Sequence, residues 1–266
     1  LGIWPEFSAP FSRVFDRVVL AAALLFFFTF RRRLSVKPGL PSETGSYGIA
    51  RSVLFGFTLT ATTALAVLPL VVDPANGIEW SVAPLSAWGM RLLSTLLTAA
   101  VVGALEEFVF RGVLFGSLRS ARGFWFAAVT SSLVYATVHF LTPAKDFRPV
   151  EMTAWLGFEY FGIVCQRLLH PGTSSGIIGL FLVGMTLCEA VRRTGRLWLA
   201  IGLHAGWILA AKVSTHATIL APDASVPLGL GKRYFIVGMP IVWLTILVCW
   251  LMVSRFGSSR SGGERA

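Results

Sequence analysis

The stretch Glu106-Glu107-Phe108-Val109-Phe110-Arg111-Gly112 places three ionisable side chains inside a long apolar run, Leu92 to Phe115. At the centre of a membrane helix each charge costs about 2.5–3.5 kcal/mol on insertion scales. Such groups persist in an apolar segment when they pair, face a polar cavity and act there. The stretch therefore predicts a helix inside a membrane bundle and a functional centre on that helix.

Composition supports the first half of that reading. The chain has 266 residues, 55% of them hydrophobic and 14% charged, with a mean hydropathy of +0.72. Soluble domains carry about 25% charged residues. Long apolar segments, with no run of short alternating strands, predict an all-α polytopic transmembrane helix bundle rather than a barrel. Its length suits one integral membrane domain over residues 1–266. The net charge of +10 is assigned to loops that set orientation, not to nucleic-acid binding. Cys165, Cys188 and Cys249 are odd in number and form no CxxC, which argues against a disulfide framework.

About seven spans are predicted: Val18–Phe30, Ser52–Val72, Trp88–Leu118, Phe124–Leu141, Ser174–Ala190, Leu197–Ala211 and Tyr234–Val253. The connection 143–173 carries Trp155, Phe158, Tyr160 and Phe161 around Glu159, which suits an outer interfacial segment better than a full span. The loops after spans one, three and five, with the C-terminal tail, hold 13 Lys and Arg residues against 9 on the other side. That excess predicts an outside N-terminus and a cytoplasmic C-terminus.

Glu107 and Arg111 are four residues apart on one helix face, acid before base, and can neutralise each other. Glu106 lies about 100° away around the helix and is left over. Ala99 and Gly103 share its face and would let another helix approach closely. A structural ion pair explains Glu107 and Arg111 but not Glu106, which suits a general base. Of the four histidines, His170 and His216 are assigned to loops without function. His139 and His204 sit in apolar spans, where an ionisable residue points to function.

These residues resemble the CPBP family, also called the Abi or CAAX-protease family, which includes the type II CAAX prenyl endopeptidases (Rce1-like). Its motifs EExxxR, FxxxH and HxxxN are matched by Glu106-Glu107-Phe-Val-Phe-Arg111, Tyr135-Ala-Thr-Val-His139 and His204-Ala-Gly-Trp-Ile208. The resemblance covers roughly residues 90–212, a CPBP-like catalytic core. It implies a glutamate-type intramembrane endopeptidase acting on a membrane-associated or lipid-modified peptide or protein, with no cofactor. By the same resemblance Glu106 and His139 would activate water, His204 would help stabilise the oxyanion, and Glu107 and Arg111 would orient the site. The expected setting is a bacterial plasma (inner) membrane.

The chain departs from the motifs twice. Tyr135 stands where the family has Phe, and Ile208 where it has Asn, which removes an amide donor. Losing one oxyanion donor typically costs about 10²–10³ in rate. Tyr135 is a candidate substitute donor. The missing amide also raises a second reading, a weakly active or inactive membrane binding or immunity protein. Glu106, Glu107, His139 and His204 could in principle ligate zinc, though no HExxH pair is present. Ser174 or Ser175 with His204 gives a weaker serine-protease reading, and a transporter reading lacks paired repeats.

Overall fold

The computed structural model describes residues 46–82, 84–140, 153, 155–168, 171–221 and 236–255. The predicted first span, Val18–Phe30, and His170 lie outside these residues. The protein is an all-α helix bundle. Its helices are α1 (Ser46–Val71), α2 (Leu85–Glu107), a π-helical segment (Phe108–Phe115), α3 (Gly116–Arg122) and α4 (Phe124–Phe140). They are followed by α5 (Leu156–Leu168), α6 (Pro171–Thr194), α7 (Trp198–Ala217) and α8 (Pro240–Arg255). Each of the predicted spans two to seven has its helix.

Among the described residues, three helices are long and apolar enough to cross a membrane: Gly48–Val71, Trp88–Arg122 and Thr173–Thr194. Phe124–Phe140 and Pro240–Arg255 are apolar but shorter. On α2, Leu93, Leu97, Val101 and Leu105 form an exposed stripe at four-residue spacing, a face suited to lipid rather than water. Together with the composition, these features make the chain an integral membrane protein. In the connection after α4, α5 has 13 residues, too few for a span of about 20. Phe158 and Phe161 on α5, and Trp155 just before it, are exposed, while Leu156 and Tyr160 are buried.

The centre of the bundle is α7, packed against α1, α2 and α6. Glycines set how close α1 and α7 lie. A Cβ on Gly56 would stand 2.7 Å from both Leu199 O and Leu203 N, and one on Gly206 would strike Thr60 Oγ1 and Phe57 O. Thr60 Oγ1 also donates across the interface to Leu203 O at 2.8 Å. On the α2 side, a Cβ on Gly103 would sit 3.4 Å from Ala205 N, and Ala99 is buried. The small face expected along Glu106 does bring a second helix close, and that helix is α7.

The end of the sixth span differs from the sequence reading. The predicted sixth span ends at Ala211, before Lys212, but α7 continues to Ala217. Ser214 and Thr215 bond the carbonyls of Ala210 and Ala211 at 2.7 and 2.8 Å, and Ser214 is buried, so tertiary burial carries the helix past its polar residues. His216 therefore lies on a helix, not in a loop. After α7, β2 (Thr218–Leu220) pairs antiparallel with β1 (Ile78–Trp80), in the register Ile78 with Leu220. This two-stranded ribbon ties the α1–α2 connection to the end of α7. It begins at Gly77, whose φ of 73° is left-handed, after a turn closed by the Asp73 side chain on Ala75 N.

At the other end of the bundle, the buried Glu189 carboxylate on α6 accepts from Arg192 Nε at 2.6 Å and Arg193 Nε at 2.8 Å. The Arg192 guanidinium also lies 5.1 Å from the Phe124 ring, joining the end of α6 to the start of α4.

Candidate active site

Regular α-geometry stops at Glu107, and the chain widens into a π-helix from Phe108 to Phe115. Such segments recur at functional sites because they re-aim the side chains around them. Here the change of register begins directly after the two adjacent glutamates, whose surroundings differ sharply.

Glu107 is fully buried and points toward α7. Its Oε1 accepts from Arg111 Nη1 at 2.9 Å and from His204 Nδ1 at 2.8 Å. A carboxylate oxygen accepts only, so His204 carries its hydrogen on Nδ1, and its Nε2 is the open atom. The Tyr135 hydroxyl lies 3.2 Å from that Nε2 and donates to it in the neutral form of His204. The predicted ion pair is present, and the same carboxylate also fixes the tautomer of a histidine on another helix.

Glu106 is 27% exposed, against 0% for Glu107, so only Glu106 can be reached from the cavity described below. Its Oε2 lies 3.4 Å from His139 Nε2 and 3.6 Å from His204 Nε2. His139 Nδ1 is 2.8 Å from the backbone oxygen of Tyr135 one turn earlier, so Nδ1 donates there and Nε2 turns to Glu106. In their neutral forms both imidazoles aim an acceptor at a carboxylate oxygen. Acceptors do not satisfy one another; the arrangement suits a shared proton or a group with O–H bonds to give.

Tyr135 links these groups. Its carbonyl holds His139, its hydroxyl meets His204, and its ring lies 4.4 Å from the Arg111 guanidinium carbon. Phe110 packs edge-on against the same ring at 5.2 Å. The π-segment, α4 and α7 thus meet at one aromatic side chain that is 2% exposed.

Glu106, Tyr135, His139 and His204 lie at one end of a cavity of about 510 Å³. The cavity continues along α7 through Trp207, Ile208 and Ala211 to Lys212, Thr215 and His216. Ile208, which occupies the motif's amide position, therefore faces the same space as Glu106. The three motifs are brought together here: Glu106, His139 and His204 at the cavity, Tyr135 between them, and Glu107 and Arg111 behind. Ser174 and Ser175 do not line it. Lys212 and His216 do, and were missed because a cation and a histidine after an apolar run read as the end of a span. No group of three or more His, Cys, Asp or Glu side chains placed to hold a metal ion occurs among the described residues.

Residues 88–210 match the family model described as type II CAAX prenyl endopeptidase Rce1-like. This region of the chain is Rce1-like. The Rce1-like region begins in α2 and ends in α7, and it contains all six candidate residues. It confirms the resemblance drawn from the three motifs and supports a general role as an intramembrane protease. No curated protein and no solved structure matches the chain.

Proposed function

We propose that the protein is an intramembrane endopeptidase in which Glu106 and His139 activate water against a peptide bond of a membrane-associated or lipid-modified protein. The observation that carries this reading is the approach of Glu106 Oε2 to His139 Nε2 and His204 Nε2, at 3.4 and 3.6 Å, at the end of a mostly apolar cavity. A general base must lie within hydrogen-bond reach of the proton it takes, directly or through one water. Water between Glu106 and the imidazoles gives up a proton to the Glu106–His139 pair as its oxygen attacks the carbonyl carbon. The same proton then passes to the departing amide nitrogen as the C–N bond breaks, leaving a carboxylic acid and an amine.

The negative charge that develops on the carbonyl oxygen needs donors. We assign these to the Tyr135 hydroxyl and to His204, whose imidazolium form would donate from Nε2 while Glu107 balances its charge through Nδ1. Thr98 and Thr215 also line the cavity, but their hydroxyls are held by the carbonyls of Ser94 and Ala211 at 2.7 and 2.8 Å. Tyr135 is thus the hydroxyl best placed to serve where Ile208 cannot. Arg111 and Glu107 are positioning residues.

The chain would lie in a plasma membrane of bacterial type, with the basic end of the bundle (Arg119, Arg122, Arg192, Arg193, Arg196) and the C-terminus toward the cytoplasm. The experiment is proteolysis of co-expressed membrane substrates by wild type, Glu106→Ala, His139→Ala and His204→Ala. Loss of cleavage in all three, with folding intact, supports the reading. A second reading, a binding protein of the same family, is favoured by Ile208 in the cavity. It predicts no cleavage by any form and a partner that co-purifies with wild type.

A further inference from the structure

The three motifs lie on α2 with its π-helical segment, on α4 and on α7, but Arg111 also meets a fourth helix. Cys188 on α6 is fully buried, and its thiol faces the Arg111 guanidinium. The Arg111–Glu107 pair is closed by one bond, Nη1 to Oε1 at 2.9 Å. Arg111 Nε and Nη2 and Glu107 Oε2 are buried with no hydrogen-bond partner among the described residues. A guanidinium beside a carboxylate frequently closes two parallel bonds, and three buried polar atoms left over need a cause. The other groups against the guanidinium include the Tyr135 ring, 4.4 Å from its carbon, and the Cys188 sulfur.

That sulfur is itself held from α4. Ser131 Oγ donates to Ala128 O at 3.4 Å, so at its 3.5 Å approach to Cys188 Sγ it accepts the thiol hydrogen. Ser132 Oγ lies 3.9 Å from the same sulfur. Gly184, one turn before Cys188, lets the two helices come this close, since a Cβ there would stand 2.7 Å from Ser132 Cβ. The sulfur lone pairs are left for the arginine. Cys188 belongs to none of the three motifs.

We infer that Cys188 is a positioning residue whose sulfur holds Arg111 back from a two-bond closure on Glu107, keeping Glu107 Oε1 shared with His204 Nδ1. A second bond, to Oε2, would turn the carboxylate toward Arg111 and draw its charge away from His204. Since His204 is assigned to the oxyanion, the thiol acts on the reaction through Arg111, Glu107 and His204 in turn. Its effect on cleavage rests on the endopeptidase reading; its effect on the His204–Glu107 hydrogen bond does not.

The test uses the full chain in lipid nanodiscs as wild type, Cys188→Val, Cys188→Ala, Cys188→Ser, Arg111→Met, and Cys188→Val with Arg111→Met. NMR of labelled histidine reads the Nδ1–H signal of His204, identified by its loss in His204→Gln. Val and Ala offer no acceptor, so the signal should move upfield, as from a weaker hydrogen bond. Ser keeps an acceptor and should restore the wild-type position. Adding Cys188→Val to Arg111→Met should move it no further. Cleavage of one lipid-anchored peptide should show kcat lower by about 10–100-fold in Val and Ala, KM near wild type, and recovery in Ser. An unchanged His204 signal in folded Cys188→Val or Cys188→Ala overturns the proposal. So does an equal shift in the Arg111→Met background, which would make the thiol a packing group only. Unchanged kcat in those variants, beside a wild type that cleaves, also overturns it. No cleavage by wild type, with the signal shift present, overturns the endopeptidase reading and leaves the hold on Arg111 supported.

Discussion

Glu107 Oε1 lies 2.8 Å from His204 Nδ1, across 97 residues of sequence and between two helices. The same oxygen takes Arg111 Nη1 at 2.9 Å, so one buried carboxylate balances a cation on its own helix and orients an imidazole on the next. Glu107→Ala strands both partners. Breaking a buried pair by removing one member costs about 3–5 kcal/mol. Denaturation in detergent should show a loss of that order for Glu107→Ala, and a smaller one for Glu107→Ala with Arg111→Met, which removes the stranded charge. A double variant no more stable than the single one would count against the pairing as the cause.

Part of this arrangement was legible in the sequence. Spacing alone placed Glu107 with Arg111 and left Glu106 over, because both facts are local to one helix. That Glu107 also reaches His204 depends on how closely α2 and α7 approach, which Gly103 and Ala205 determine only once the bundle is packed. The π-segment at Phe108–Phe115 was not legible, since hydrophobic periodicity over eight residues cannot separate it from an α-helix. The sixth helix outruns its apolar pattern for a related reason: a stop signal at Lys212 and His216 is overridden by burial of Ser214 and by a cavity that both residues line.

Tyr135 and Ile208 bear on the same chemical need. If the Tyr135 hydroxyl replaces the missing amide, Tyr135→Phe should lower turnover about 10²–10³-fold, the usual loss for one oxyanion donor. Ile208→Asn adds a donor to the same cavity wall and should recover at least about tenfold of that loss in the Tyr135→Phe background. Single-turnover cleavage of one lipid-anchored peptide measures both. If Ile208→Asn gives no recovery while the double variant stays folded, the substitution of one donor for the other is wrong.

The close contact of α1 with α7 predicts a steep response at one glycine and none at another. A Cβ on Gly206 would meet Phe57 O and Thr60 Oγ1, so Gly206→Ala should destabilise by at least about 1–3 kcal/mol, the usual cost of overpacking. Gly89, on α2, has nothing within 4 Å of its Cβ position. Gly89→Ala should be neutral or stabilising by up to about 1 kcal/mol, the helix-propensity difference. Thermal unfolding of the two variants in one detergent compares them directly, and similar destabilisation by both would contradict the packing described.

In the proposed mechanism Glu106, and not its buried neighbour, takes the proton from water. The most direct measurement is the pre-steady-state cleavage rate of Glu106→Gln in nanodiscs, alongside unfolding of the same sample. The expected result is a folded protein of near wild-type stability whose cleavage is lower by about 10²–10⁴-fold, the range expected when a general base is removed. Cleavage by folded Glu106→Gln at the wild-type rate would contradict it.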